Sequence, residues 1–308
     1  MFLVKAIRSG KQATGCKTFF PEMPRELKIR IGDVCISIEG DAQKGDWEIA
    51  PAYLPFIAPG KSDISLRLHQ GLPPDTLVGE KVFDCPPIWT LYRQNGASVI
   101  KIFDTLPGLE RILVLSSHLE KTDLYFAHKY GPFVNPFYGP TMELLMVNYL
   151  AQGSGVIIHS CAIARNGRGI LFVGESGAGK STLARMWDQE DGIDVLSDDR
   201  TIVRKKGHQF WMYGTPWHGD AKFGSPRRVR LERIFFLRHG QKNSIKEIKG
   251  IDPVSQLLTC SFPPYWDPQG MAFTLEIFTD LAADIPCQSL SFRPERSVID
   301  HVIEELMD

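Results

Sequence analysis

The run Gly174-Glu175-Ser176-Gly177-Ala178-Gly179-Lys180-Ser181 meets every fixed position of G-x-x-x-x-G-K-[ST]. In that pattern the glycines let successive backbone N–H groups turn inward around phosphate oxygens. The lysine reaches the β- and γ-phosphates, and the hydroxyl helps hold Mg²⁺. The flanks suit the motif. Gly169 to Val173 is a short apolar run fit for a buried strand, and Ser181 to Trp187 has the spacing of a helix start. A helix that begins there adds the positive end of its dipole to an anion site. Gly174, Ser176, Gly177, Ala178, Gly179, Lys180, Ser181 and Thr182 are therefore the expected nucleotide contacts.

Two other places carry candidate chemistry. Val156 to Ala164 reads as a strand, Arg165-Asn166-Gly167-Arg168 as a tight turn, and the next strand runs into the glycine-rich loop. Pairing 165 with 168 sets His159 opposite Gly174, at the roughly 5 Å Cα spacing of antiparallel partners. An imidazole there either lies beside phosphate or closes a strand end on backbone; the register leaves both open. Asp198-Asp199 follows the strand-like Ile193 to Ser197. A carboxylate at this place can hold Mg²⁺ directly or through water. A carboxylate–histidine pair is also what general-base removal of a hydroxyl proton needs. An exposed acidic turn is the plain alternative.

These residues need a scaffold. At 308 residues the chain suits two domains, divided near residue 130. Residues 1–130 carry short alternating runs, among them Leu27 to Ile31, Ile64 to Leu68 and Ile112 to Leu115. Ile88 to Tyr92 and Val99 to Phe103 flank Asn95-Gly96, a strong hairpin signal. This part reads as a β-rich domain with no chemical motif. In residues 131–308, a proline- and aromatic-rich loop (Gly131 to Pro140) precedes a helix capped by Thr141 and running to about Gln152. Leu231 to Leu237 reads as a buried strand, and the spacing of Val298, Val302 and Leu306 as a final helix. Thr215 to Asp220 suits an active-site wall or a structural turn. The basic run Ser225 to Arg233 suits a solvated strand face, though it could also meet an anionic acceptor or a neighbouring subunit.

Composition narrows the class. Hydrophobic content of 43%, charged content of 23% and a net charge of −1 are ordinary globular values. They give no argument for nucleic acid or an acidic membrane as partner. No apolar run has the length of a membrane span, and Met1 to Arg8 is too short and charged for a signal peptide. The six cysteines are scattered, with no C-x-x-C pair, which argues against a zinc site and fits reduced thiols in a cytoplasm.

Together the loop, the histidine and the acidic pair resemble the C-terminal catalytic domain of the HPr kinase/phosphorylase family. That family's loop, Gly-x-Ser-Gly-x-Gly-Lys-Ser, is matched by Gly174, Ser176, Gly177, Gly179, Lys180 and Ser181. Its preceding histidine is matched by His159 and its Asp-Asp pair by Asp198 and Asp199, with a one-residue difference in spacing. The likeness runs roughly from residue 155 to 300 and weakens downstream, where Gly214 to Gly219 lacks the family's Arg-Gly-Leu-Gly. The resemblance implies an α/β fold: a P-loop, phosphoenolpyruvate-carboxykinase-like mixed sheet with helices, here behind a β-rich N-terminal domain. It implies that His159 and Asp198 assist proton removal from an acceptor hydroxyl, and that Asp199 and Ser181 hold Mg²⁺. The expected activity is ATP-dependent transfer of the γ-phosphoryl group, with Lys180 assisting. The acceptor would be a serine of a protein or peptide, with a small-molecule hydroxyl as the nearest variant, and a homo-oligomer is compatible. Two other readings stay open: a non-catalytic nucleotide-binding switch and a phosphoenolpyruvate-carboxykinase-type lyase.

Overall fold

A computed structural model of the chain describes residues 26–40, 49–71, 73, 79–103, 109–119, 121–128 and 135–306. The expectations for Met1 to Arg8, Cys16 and Gly131 to Val134 lie outside these residues. The described chain forms two large mixed sheets with a few helices.

The first sheet contains β1 (Glu26–Ile31), β2 (Val34–Gly40), β3 (Ile64–Gln70), β4 (Glu80–Cys85), β5 (Trp89–Gln94), β6 (Ala97–Phe103), β7 (Leu109–Leu115) and β8 (Lys121–His128). Their order across the sheet is β1-β2-β3-β8-β7-β6-β5-β4. Alternation decides which face is buried: Leu27, Ile29 and Ile31 of β1 point inward. The Asn95-Gly96 turn joins β5 to β6 with both residues at positive φ, 50° and 79°, as a two-residue hairpin requires.

A 3₁₀ turn, Pro51–Phe56, and helix α1 (Thr141–Leu150) cover this sheet. Six apolar side chains of α1, from Met142 to Leu150, share one buried cluster with the strands. Thr141 is the first helical residue and not the cap. Its hydroxyl instead accepts a hydrogen bond from Arg111 at 3.0 Å. The helix ends at Leu150, and Ser154 N–H closes on the Leu150 carbonyl at 2.8 Å.

The second sheet contains β9 (Val156–Arg165), β10 (Arg168–Val173), β11 (Ile193–Ser197), β12 (Arg200–Lys206), β13 (Gln209–Tyr213), β14 (Arg228–His239), β15 (Ser244–Glu247) and β16 (Cys287–Phe292). The helices α2 (Lys180–Trp187), α3 (Asp252–Thr259), α4 (Pro268–Asp284) and α5 (Ser297–Glu305) pack on it. Leu171 and Val173 of β10 face one apolar layer with α3 and α4. Ile170 and Phe172 face the other, with α2 and α5. Burial on both faces explains the unbroken apolar run before the glycine-rich loop. Pairings β9–β12–β13–β14–β10–β9 close into a hydrogen-bonded circuit. The basic run leads into β14 and forms its start, and three of its guanidinium groups meet the chain's own side chains: Arg227 with Asp194, Arg228 with Asp33, and Arg233 with Glu305.

The two sheets touch through specific groups. Gly32 in the β1–β2 turn lies so close to Ile202 that a Cβ there would meet its Cδ1 at 2.8 Å. The Gly32 carbonyl accepts from Arg204 at 2.6 Å. Asp33 accepts from Lys206, from Arg228 and, at 3.1 Å, from the Tyr213 hydroxyl. Deeper in, Trp217 Nε1–H donates to the buried Tyr53 hydroxyl at 2.8 Å.

Burial pushes the Asp33 carboxyl up, but Lys206, Tyr213 and Arg228 outweigh it and hold it below the ordinary carboxylate value. A depressed carboxylate contributes stability above its unfolded pKa and loses it as pH falls through the folded value. Asp33→Asn is therefore expected to lower the urea midpoint at neutral pH. The gap to wild type should close below roughly pH 4, and midpoints measured across that range check it.

Candidate active site

The β9–β10 ladder carries the Asn166-Gly167 turn at φ 50° and 77° and pairs Arg165 with Arg168. It ends at Ser160 opposite Val173, so His159 stands one step beyond, where the chain leaves β10 at Gly174. The pairs from Arg165–Arg168 to Ser160–Val173 follow the expected register, and the expected His159–Gly174 position lies one step past the last of them.

Between β10 and α2 the loop reverses tightly. Gly179 stands at φ +96° as the residue before α2, and a Cβ there would meet the Phe292 ring at 2.9 Å. Lys180 is 5% exposed and donates to the carbonyls of Gly174 at 2.7 Å and Glu175 at 2.8 Å. Burial pushes its amine down; Asp199 is foremost among the groups that oppose this. A loop of this shape can present amide N–H groups and a helix N-terminus to an anion. Glu175, Ser176, Gly177 and Thr182 are exposed along its outer edge.

Ser197 ends β11, and the two carboxylates after it turn opposite ways. Asp198 is 1% exposed. Its Oδ1 accepts from the N–H groups of Gly219 (2.9 Å) and Phe223 (3.2 Å). Its Oδ2 accepts from Ala221 N–H (2.8 Å) and from the Ser181 hydroxyl (3.3 Å). Asp199 turns toward β9. Its carbonyl accepts from Ser160 N–H at 2.9 Å, and its Oδ1 lies 2.8 Å from His159 Nε2. Its Oδ2 meets Arg200. Burial alone would raise Asp199; the hydrogen bond from His159, with Arg200 and Lys180, holds it below the usual carboxylate value.

The contacts thus pair the acidic residues differently from the expected division. His159 meets Asp199, not Asp198, and Ser181 meets Asp198, not Asp199. The cause is local. Three amides of the segment 219–223 take hold of Asp198, which leaves only its neighbour free to reach back across β9.

That segment also resolves the loop after β13. Trp217 is buried on Tyr53 and packs as core, while His218 is exposed. The acid-holding function belongs to the backbone N–H groups of the loop, which residue types could not announce. Sequence reasoning also missed Arg200, Phe262 and Glu143. Arg200 is directly opposite His159 on β12, its Nε lies 2.9 Å from Glu143 Oε2, and its guanidinium stacks on the Phe262 ring at 5.0 Å. The place of Arg200 right after the acidic pair was a visible signal; Glu143 and Phe262 gave none.

A cavity of about 270 Å³ adjoins the loop. Its walls include Glu175, Ser176, Arg238, Gln256, Thr259 and Cys260. The Cys260 carbonyl accepts from His159 N–H at 2.7 Å, so the cavity and the histidine share a wall. Among the described residues no group of three or more His, Cys, Asp or Glu side chains could hold a metal ion by itself. The described cysteines are all free, and no described helix is long and apolar enough to cross a membrane.

No protein-family model matches the chain, and no curated protein matches it. Among solved structures, the Hpr(Ser) kinase/phosphatase from Coxiella burnetii is similar over 49% of this chain and 99% of that one, at 14% identity and a TM-score of 0.27. A likeness at that score is too loose to assign a fold or a function.

If the loop binds nucleotide, Lys180→Met should weaken it by roughly ten- to a hundredfold, the worth of one or two charge-assisted hydrogen bonds. Titration of a fluorescent ATP analogue checks this, with a thermal melt to show that the variant is folded.

Proposed function

We propose that the chain is an ATP-dependent phosphotransferase that moves the γ-phosphoryl group to a hydroxyl, foremost a serine of a protein or peptide. The observation that supports this most is the His159–Asp199 pair, held one step past the last β9–β10 pair, where β10 gives way to the glycine-rich loop. On this reading the second sheet is a P-loop domain of the HPr-kinase and phosphoenolpyruvate-carboxykinase type.

The chemistry follows from the contacts. Phosphoryl transfer needs mostly positioning and charge neutralisation. Amides from Gly177 to Ser181 would cradle the phosphates, and the Lys180 amine, already turned into the loop, would meet the β- and γ-oxygens. Ser181 Oγ and Asp198 converge as two oxygen donors, a set that fits Mg²⁺ better than a soft metal. Mg²⁺, when bound there, would supply neutralisation of the phosphate charge.

Asp199 is an acceptor only, so the His159 Nε2 facing it must carry the proton. In the neutral imidazole the lone pair then sits on Nδ1, and that nitrogen would take the acceptor's proton. Asp199 would fix the tautomer and stabilise the imidazolium that forms. The cavity beside the loop has room for one side chain or a small molecule, which suits the acceptor hydroxyl.

Label transfer from γ-labelled ATP with Mg²⁺ into an extract of the source cells tests the proposal. One labelled species is expected. His159→Ala and Asp199→Asn should reduce its labelling by about 10²- to 10⁴-fold while nucleotide affinity holds. Intact ATP binding with no labelled species would replace the proposal by a nucleotide-binding switch.

A further inference from the structure

We propose that Glu143 is a positioning residue for the His159–Asp199 pair and acts through Arg200. Its place in a catalytic cycle rests on the phosphotransfer reading; its effect on the pair's geometry does not.

Four ionisable groups stand in a row. Glu143 Oε2 lies 2.9 Å from Arg200 Nε, Arg200 Nη1 meets Asp199 Oδ2, and Asp199 Oδ1 lies 2.8 Å from His159 Nε2. The four side chains are between 20% and 25% exposed, so solvent screens them only partly. Three different parts of the fold supply them. Glu143 is in the first turn of α1, Arg200 opens β12 with Asp199 just before it, and His159 is on β9. Arg200 and His159 are direct cross-strand partners, so their side chains share one face of the sheet. Phe262 supports that face, with Arg200 stacked at 5.0 Å and the His159 ring edge-on at 6.3 Å.

The guanidinium fork explains why Glu143 matters. A free arginine beside a carboxylate tends to engage both oxygens in a bidentate pair. That would take Oδ1 of Asp199 away from His159. Here Glu143 draws the Nε side of the fork, so Arg200 reaches Asp199 through Nη1 and Oδ2 alone. The Nε–H is not aligned as a full hydrogen bond on Glu143, so the contact is chiefly ionic and its charge is what counts. Burial pushes the Glu143 carboxyl up, Arg200 pulls it down, and Asp199 pushes it up again. The arginine is thus the counter-charge for two carboxylates, and each limits what the other can take. The helix that carries Glu143 shares its buried cluster with first-sheet strands and with Ile157 of β9 and Ile202 of β12, so packing from both sheets sets where Glu143 stands.

The test is NMR of the full chain with ¹⁵N-labelled histidine. A His Nε2–H that donates to a carboxylate gives a downfield, slowly exchanging proton; His69 makes a like pair with Asp123 at 2.7 Å, so all spectra are taken in a His69→Gln background, where that resonance reads the His159–Asp199 pair. It is expected in the otherwise wild-type chain and in Glu190→Gln, which removes a charge from a pair with Arg296 just past the C-terminal end of α2, the opposite end from the loop. It should be lost or shifted in Glu143→Gln and Glu143→Ala, with affinity for an ATP analogue within twofold of wild type. Arg200→Lys, which keeps the charge and removes the fork, should also alter it if Glu143→Ala does not fold. An unchanged resonance in folded Glu143→Gln overturns the proposal. So does a wild-type spectrum without the resonance, because the pair to be positioned would then not be formed. With a labelled acceptor in hand, Glu143→Gln should lower kcat about tenfold and leave KM for ATP unchanged. A wild type that shows the resonance but transfers no phosphoryl group overturns the phosphotransfer reading and leaves the positioning result standing.

Discussion

One pairing register holds the candidate site together. Asn166 and Gly167 adopt the positive φ angles of a two-residue hairpin, so Arg165 must face Arg168, and each later pair along β9 and β10 follows. The last pair is Ser160 with Val173. The ladder ends there, so His159 stands on β9 one step beyond it, at the level where the chain leaves β10 at Gly174. A slip of one residue would turn the imidazole to the opposite face and put Ile158, which is fully buried, in its place. The apolar layers on both faces of β10 make such a slip costly, since Leu171 and Val173 would exchange surroundings with Ile170 and Phe172.

Around that register Lys180, Asp198 and Asp199 each have protein partners. Lys180, pushed toward its neutral form by burial, is supported by two loop carbonyls and by the field of Asp199. Asp198 is buried but has three amide donors and a hydroxyl. A buried carboxylate with that many donors has its hydrogen-bonding needs met within the protein. Asp199 has the opposite solution, two cationic or protonated partners from neighbouring strands. Adjacent residues in the chain therefore serve different surroundings.

The first sheet carries no chemical motif, yet it reaches both carboxylates. Tyr53 anchors Trp217, whose loop supplies the amides on Asp198. Glu143, from the helix that buries the same sheet, meets the arginine on Asp199. The β1–β2 turn adds Asp33 as an acceptor for groups on β12, β13 and β14. Each of these contacts joins residues far apart in the chain.

Local rules were enough for much of this. Alternation marked β1 and β3, Asn-Gly marked both hairpins, and the glycine–lysine–serine spacing marked a strand–loop–helix that the fold contains. His159 was legible because a two-residue turn transmits its register along the strand. What sequence could not show was the direction of each carboxylate. Asp198 and Asp199 have the same chemistry and adjacent positions, and only the amides of Gly219, Ala221 and Phe223 distinguish them. Backbone donors have no signature in residue type. Nor could it show that Glu143 and Phe262 flank Arg200, or that Trp217 serves as core, because those meetings depend on how two sheets and a helix close on one another. The sequence by itself determined periods, turns and the identity of the reactive groups, since these are set within a few residues of chain. The tertiary structure decided which reactive group faces which, since that is settled by packing between distant elements.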